Sequence, residues 1–157
     1  MKKMNNKGFS LVELIVVVLI MAIIAVALAP QVMRWVENSR KSNDIEAYGS
    51  LVNALQVAGT DEAVLDGFTA QTVTFTSTGV GGINDADLQK AVIRTLPELE
   101  GATAGTIDGS KMKVQGDWSG VTDTEVHAGS FQIDVTKSAD GSGLQVKQTY
   151  RPKKVFS

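Results

Sequence analysis

Apolar and polar positions are spread unevenly along the 157-residue chain. From Phe9 to Ala29 the sequence reads FSLVELIVVVLIMAIIAVALA, where Ser10 and Glu13 are the only polar residues and Leu14 to Ala29 is an unbroken apolar run. As an α-helix this segment would extend roughly 31 Å, enough to cross a hydrocarbon core. Apolar residues then continue at helical spacing, with Val32, Met33 and Val36 followed by Ile45, Tyr48, Val52 and Leu55. The opposite face carries Arg34, Glu37, Arg40, Lys41, Asp44 and Glu46, so residues 31–58 read as the amphipathic continuation of the same helix. Gly59 is the predicted stop, Gly49 weakens the helical pattern from within, and Pro30 predicts a kink or a melted turn around Val26.

After Gly59 the period shortens. Strands are predicted at Thr72–Thr76, Lys111–Gln115, Ser130–Thr136 and Leu144–Tyr150, the last two joined by the turn-rich Ser138–Gly143. Gly79–Gly82 reads as a flexible loop. A second helix is expected from about Asp85 to Leu96, capped by Asn84 or Asp85 and ended by Pro97. Short local connections favour antiparallel pairing. The fold class that follows is α+β: a long N-terminal helix laid across a small antiparallel sheet, with an extra helix inserted between helix and sheet.

Composition narrows the chemistry. Lys and Arg number 15 against 17 Asp and Glu, a net charge of −2, which argues against a dedicated nucleic-acid binder. The absence of cysteine removes disulfides, thiolate catalysis and Cys-ligated metal, and His127 is the only histidine. Within residues 59–157 each candidate has a plain structural reading. Gly79-Val80-Gly81-Gly82 lacks the spacing and lysine of a phosphate loop. Asn84, Asp85 and Asp87 suit helix capping better than calcium, and Ser130 and Asp134 near His127 make no triad. Asp140-Gly141-Ser142-Gly143 is a turn, Arg151, Lys153 and Lys154 a solvated basic tail, and Trp35 and Trp118 packing residues. No catalytic residue, cofactor, metal or small-molecule substrate is expected.

Ahead of the apolar run, Lys2, Lys3 and Lys7 stand against no acid, which places the N-terminus on the cytoplasmic side and everything after Pro30 outside. A secretory signal cut after Ala27-Leu28-Ala29 would put Pro30 directly behind the cut and leave Glu13 inside an apolar core. A plain anchor has no use for Glu13, because an intramembrane carboxylate costs about 2.5–3.5 kcal/mol on insertion scales. The run Lys7-Gly8-Phe9-Ser10-Leu11-Val12-Glu13-Leu14-Ile15 instead resembles the processing signature of type IV pilins and type II secretion pseudopilins.

That resemblance implies cleavage by a prepilin peptidase between Gly8 and Phe9, N-methylation of Phe9, and removal of residues 1–8 as a basic leader. It further implies a membrane and filament-core helix over 9–30, an amphipathic half over 31–58 and a head over 59–157. Gly8 suits a cut site because a residue without Cβ lets a protease approach the backbone. Positions 9 and 13 lie one turn apart on a helix, so Glu13 can meet the new amine of Phe9 or that of a neighbouring subunit and set the filament register. The function implied is a major pilin, a structural subunit with no enzyme activity. It would be a single-pass precursor in the cytoplasmic membrane and then part of an extracellular homo-oligomeric filament. Its partners would be the peptidase, an assembly platform protein and a separate cytoplasmic ATPase. The alternatives are a pseudopilin or minor pilin of a secretion or DNA-uptake machine, and a membrane-anchored binding protein. Many pilins close a C-terminal loop with a disulfide, which this chain cannot make, and no calcium loop of the major-pseudopilin kind is evident.

Overall fold

The structure, a computed structural model, describes residues 8–121 and 126–153. It divides into two units, one up to Val36 and one from Glu37 onward, with the boundary inside the first helix, α1 (Leu11–Ala58). Pro30 lies within this helix, whose assignment continues on both sides of it. Over residues 11–36 every position of α1 is exposed. The second unit has its own core, to which α1 contributes Tyr48, Leu51, Val52, Ala54, Leu55 and Ala58.

Past Gly59 the chain forms a one-turn helix, α2 (Glu62–Leu65), and then an antiparallel hairpin of β1 (Gln71–Thr76) and β2 (Gly79–Gly81). Next come α3 (Ala86–Thr95), a short 3-10 turn at Pro97–Leu99 and another at Gly109–Lys111. The strands β3 (Phe131–Lys137) and β4 (Leu144–Tyr150) complete a four-stranded antiparallel sheet in the order β2-β1-β3-β4. α3 therefore follows the first hairpin and interrupts the sheet in sequence.

Period-two patterning explains which face of the sheet is buried. Val73, Phe75, Phe131, Ile133 and Val135 point inward and are fully buried, whereas Thr72 and Asp134 face outward. Register pairs Val73 with Ile133 and Phe75 with Phe131, so the large inward residues stack across strands. Tyr48 of α1 meets Phe131 edge-on with ring centroids 5.8 Å apart, and Trp118 meets the same ring edge-on at 5.3 Å.

Two predicted elements change places. Gly79–Gly82 is not a free loop, because Gly79–Gly81 pairs with β1 across a two-residue turn, and Val80 is buried. Lys111–Gln115 is not a strand. Its first residue closes the Gly109–Lys111 turn, and beyond it the Val114 amide donates to the Thr76 carbonyl at 3.0 Å without a ladder. The Gly109 backbone packs so closely on β2 that a Cβ there would lie 1.8 Å from the Val80 carbonyl oxygen. The flank of β2 is thereby covered by a turn.

Candidate processing and assembly segment

α1 begins with a reciprocal cap. The Ser10 hydroxyl accepts from the Val12 amide at 3.3 Å, and the Ser10 amide donates to Glu13 Oε2 at 2.9 Å. The first helical hydrogen bond runs from the Leu14 amide to the Ser10 carbonyl at 3.2 Å. The Glu13 half is that of a capping box, whose sequence signal is Ser followed three residues later by Glu, here Ser10-Leu11-Val12-Glu13, while the Ser10 hydroxyl caps the Val12 amide rather than that of Glu13. The processing pattern draws attention to Glu13 as a filament residue, while Ser10, which shares the cap with it, is passed over.

Gly8, Phe9 and Ser10 lie outside the helix and are exposed, and a Cβ on Gly8 would meet nothing within 4 Å. The bond between Gly8 and Phe9 is thus open to an approaching protein. Because the helix starts at Leu11, Phe9 lies outside it and is not one helical turn from Glu13 in this chain. Lys2, Lys3 and Lys7 lie outside the described residues.

Over residues 11–36 the helix is apolar nearly all round and has no partner among the described residues of its own unit. It is long and apolar enough to cross a membrane, and none of its most apolar window is buried. Trp35 is 69% exposed, so it is not a packing residue of the single chain, in contrast to the expectation from sequence. Residues 3–29 match the prokaryotic N-terminal methylation motif.

The chain carries the type IV pilin and pseudopilin signal. No curated protein and no solved structure matches it. The α+β arrangement of a long N-terminal helix with a small antiparallel sheet is pilin-like, and the motif together with the apolar helix marks a membrane-anchored precursor that a peptidase processes.

In the pilin-like head the candidate polar residues have structural work. Asp85 caps α3, accepting from the Asp87 and Leu88 amides at 3.0 and 2.8 Å, and Asp87 pairs with Lys90 at 2.9 Å. Asp134 accepts from Thr72 Oγ1 at 2.8 Å and from the Thr149 hydroxyl, and these two bonds hold its carboxyl below the ordinary value. His127 stacks on Tyr150 with ring centroids 4.4 Å apart. Asp140 accepts from the Ser142 amide and hydroxyl inside the β3–β4 turn. Asp44, placed by sequence on the polar face of α1, is instead buried. Its carboxylate accepts from the Gln115 amide, the Gly116 amide and Trp118 Nε1, each at 2.8 Å.

Proposed function

We propose that this chain is the precursor of a major pilin, a structural subunit without enzyme activity. In this reading, cleavage between Gly8 and Phe9 and N-methylation of Phe9 precede assembly through the N-terminal helix into an extracellular filament of identical subunits. The observation that carries the proposal is the juxtaposition of an open Gly8–Phe9 bond with an apolar helical surface over residues 11–36 that no described residue of its own unit covers. Such a surface is stable in lipid. Leaving the bilayer requires another apolar environment, and a bundle of the same helices provides one through dispersion and close packing.

Glu13 gives the bundle its register. A carboxylate taken into an apolar bundle is costly unless it is paired, so the amine at Phe9 of a neighbouring subunit favours the stagger at which the two meet. The head adds no energy source, and extension relies on a separate cytoplasmic ATPase acting through an assembly platform.

The test is intact mass and N-terminal sequencing of the chain in filaments sheared from cells, set beside the membrane fraction. Abundant sheared protein beginning at methylated Phe9 supports the major pilin. Protein confined to the membrane and beginning at Phe9 identifies a minor pilin or pseudopilin, and an uncut leader there identifies an anchored binding protein.

A further inference from the structure

We infer that Ser10 is a positioning residue for processing: its hydroxyl starts α1 at Leu11 and so keeps the carbonyl of the scissile Gly8–Phe9 bond out of the helix. This rests on the reading that a peptidase cuts there. The first amides of a helix have no partner four residues back unless the helix winds further toward the N-terminus. For Val12 that partner would be the Gly8 carbonyl, and for Glu13 the Phe9 carbonyl. In apolar surroundings an unsatisfied amide is expensive, so an uncapped start at this depth draws the helix backward over residues 8 and 9.

Ser10 removes the pull on the Gly8 carbonyl. Its hydroxyl takes the Val12 amide, at 3.3 Å, which would otherwise claim the Gly8 carbonyl. Hydrolysis adds water across this bond, leaving the carboxylate on Gly8 and the amine on Phe9, and the attack must reach the Gly8 carbonyl carbon. A carbonyl that accepts a helical hydrogen bond is turned along the helix axis and walled in by the next turn. Glu13 supports the cap from the other side by accepting the Ser10 amide, but the hydroxyl alone satisfies Val12. Glu13→Ala therefore leaves the decisive half of the cap in place, whereas Ser10→Ala removes it.

The experiment uses the full-length precursor in membranes that contain the peptidase, with the cleaved fraction followed by pulse-chase and the cut site fixed by intact mass. Ser10→Ala is expected to slow cleavage by roughly fivefold, the scale set by loss of a helix cap, while Ser10→Thr and Ser10→Asn, which also cap, stay within about twofold of the parent. A second readout needs no peptidase: the carbon chemical shifts of Gly8 and Phe9 in micelles. They should be extended in the parent and in Ser10→Thr, and helical in Ser10→Ala. Cleavage of Ser10→Ala at the parental rate overturns the inference. So does slow cleavage with Phe9 still extended, which would mean that the hydroxyl touches the peptidase. If the parent is not cut at Gly8–Phe9, the processing reading fails by itself, and the chemical shifts still decide whether Ser10 sets the helix start.

Discussion

Glu13 and Gly8 act through opposite features, a charge and the lack of a side chain. Glu13→Ala is expected to be inserted and cut as usual but to give no sheared filaments, and filament yield equal to the parent would refute the register role. Gly8→Val places bulk at a position that is open in the free chain but has to fit against a protease. The uncut precursor should accumulate, read as intact mass. In the head, Tyr48 is the residue with a pH signature. Its hydroxyl donates to the Tyr150 carbonyl at 3.1 Å and lies 3.4 Å from that of Gln132, at the irregularity where β3 and β4 shift register. Burial pushes its pKa up to about 12, partly offset by Arg151. The folded state thus keeps a proton that the unfolded state releases above about pH 10. The stabilisation is complete below that pH and is lost as pH rises toward 12, by on the order of 2 kcal/mol. Tyr48→Phe should flatten this alkaline slope in denaturant titrations.

At the scale of elements, one side of α1 holds a loop by its backbone. Glu37 accepts from the Asp117 amide, Lys41 sits over the Trp118 ring at 5.6 Å, and Asp44 takes three donors from residues 115–118. The spacing of 37, 41, 44 and 48 is one helical stripe, with Tyr48 continuing it onto the sheet. Gly116 is needed for the approach, since a Cβ there would fall 2.7 Å from the Lys41 side chain and 2.9 Å from Asp44. Asp44→Ala leaves the buried Trp118 indole N–H and two part-buried amides without their acceptor and should destabilise the head by about 2–3 kcal/mol in urea unfolding, with Trp118 fluorescence as the probe. Asp44→Asn keeps one acceptor oxygen and should cost less. The stripe reads in sequence as a solvated face because nothing local distinguishes a buried Asp from an exposed one; its partners lie more than seventy residues away.

For the molecule as a whole, the two units pose different solubility problems. The unit from Glu37 onward has a closed aromatic and aliphatic core, whereas the described residues up to Val36 are all exposed. A fragment of residues 37–157 is therefore expected to be soluble and to unfold in one cooperative transition, checked by thermal denaturation at several concentrations. A midpoint that rises with concentration would show that the head needs a partner copy to fold.

Local patterns determined the parts of this protein that depend on short spacings. The apolar run, the helix end at Gly59, the cap at Asp85, three of the four predicted strands and the Gly8-Phe9-Glu13 signal were legible, because each follows from residues within a turn or two of one another. The Ser10–Glu13 cap was legible too, as Ser-x-x-Glu, but was hidden by its overlap with the processing signature. Tertiary structure alone decided the rest. Pairing with β1 made Gly79–Gly81 a strand, and residues 109–111 form a turn that packs against Val80. Asp44 became a buried anchor only when residues 115–118 folded onto it. Each of these outcomes turns on a backbone hydrogen bond or a close approach between distant segments, and pairwise contacts of that kind leave no period in the sequence.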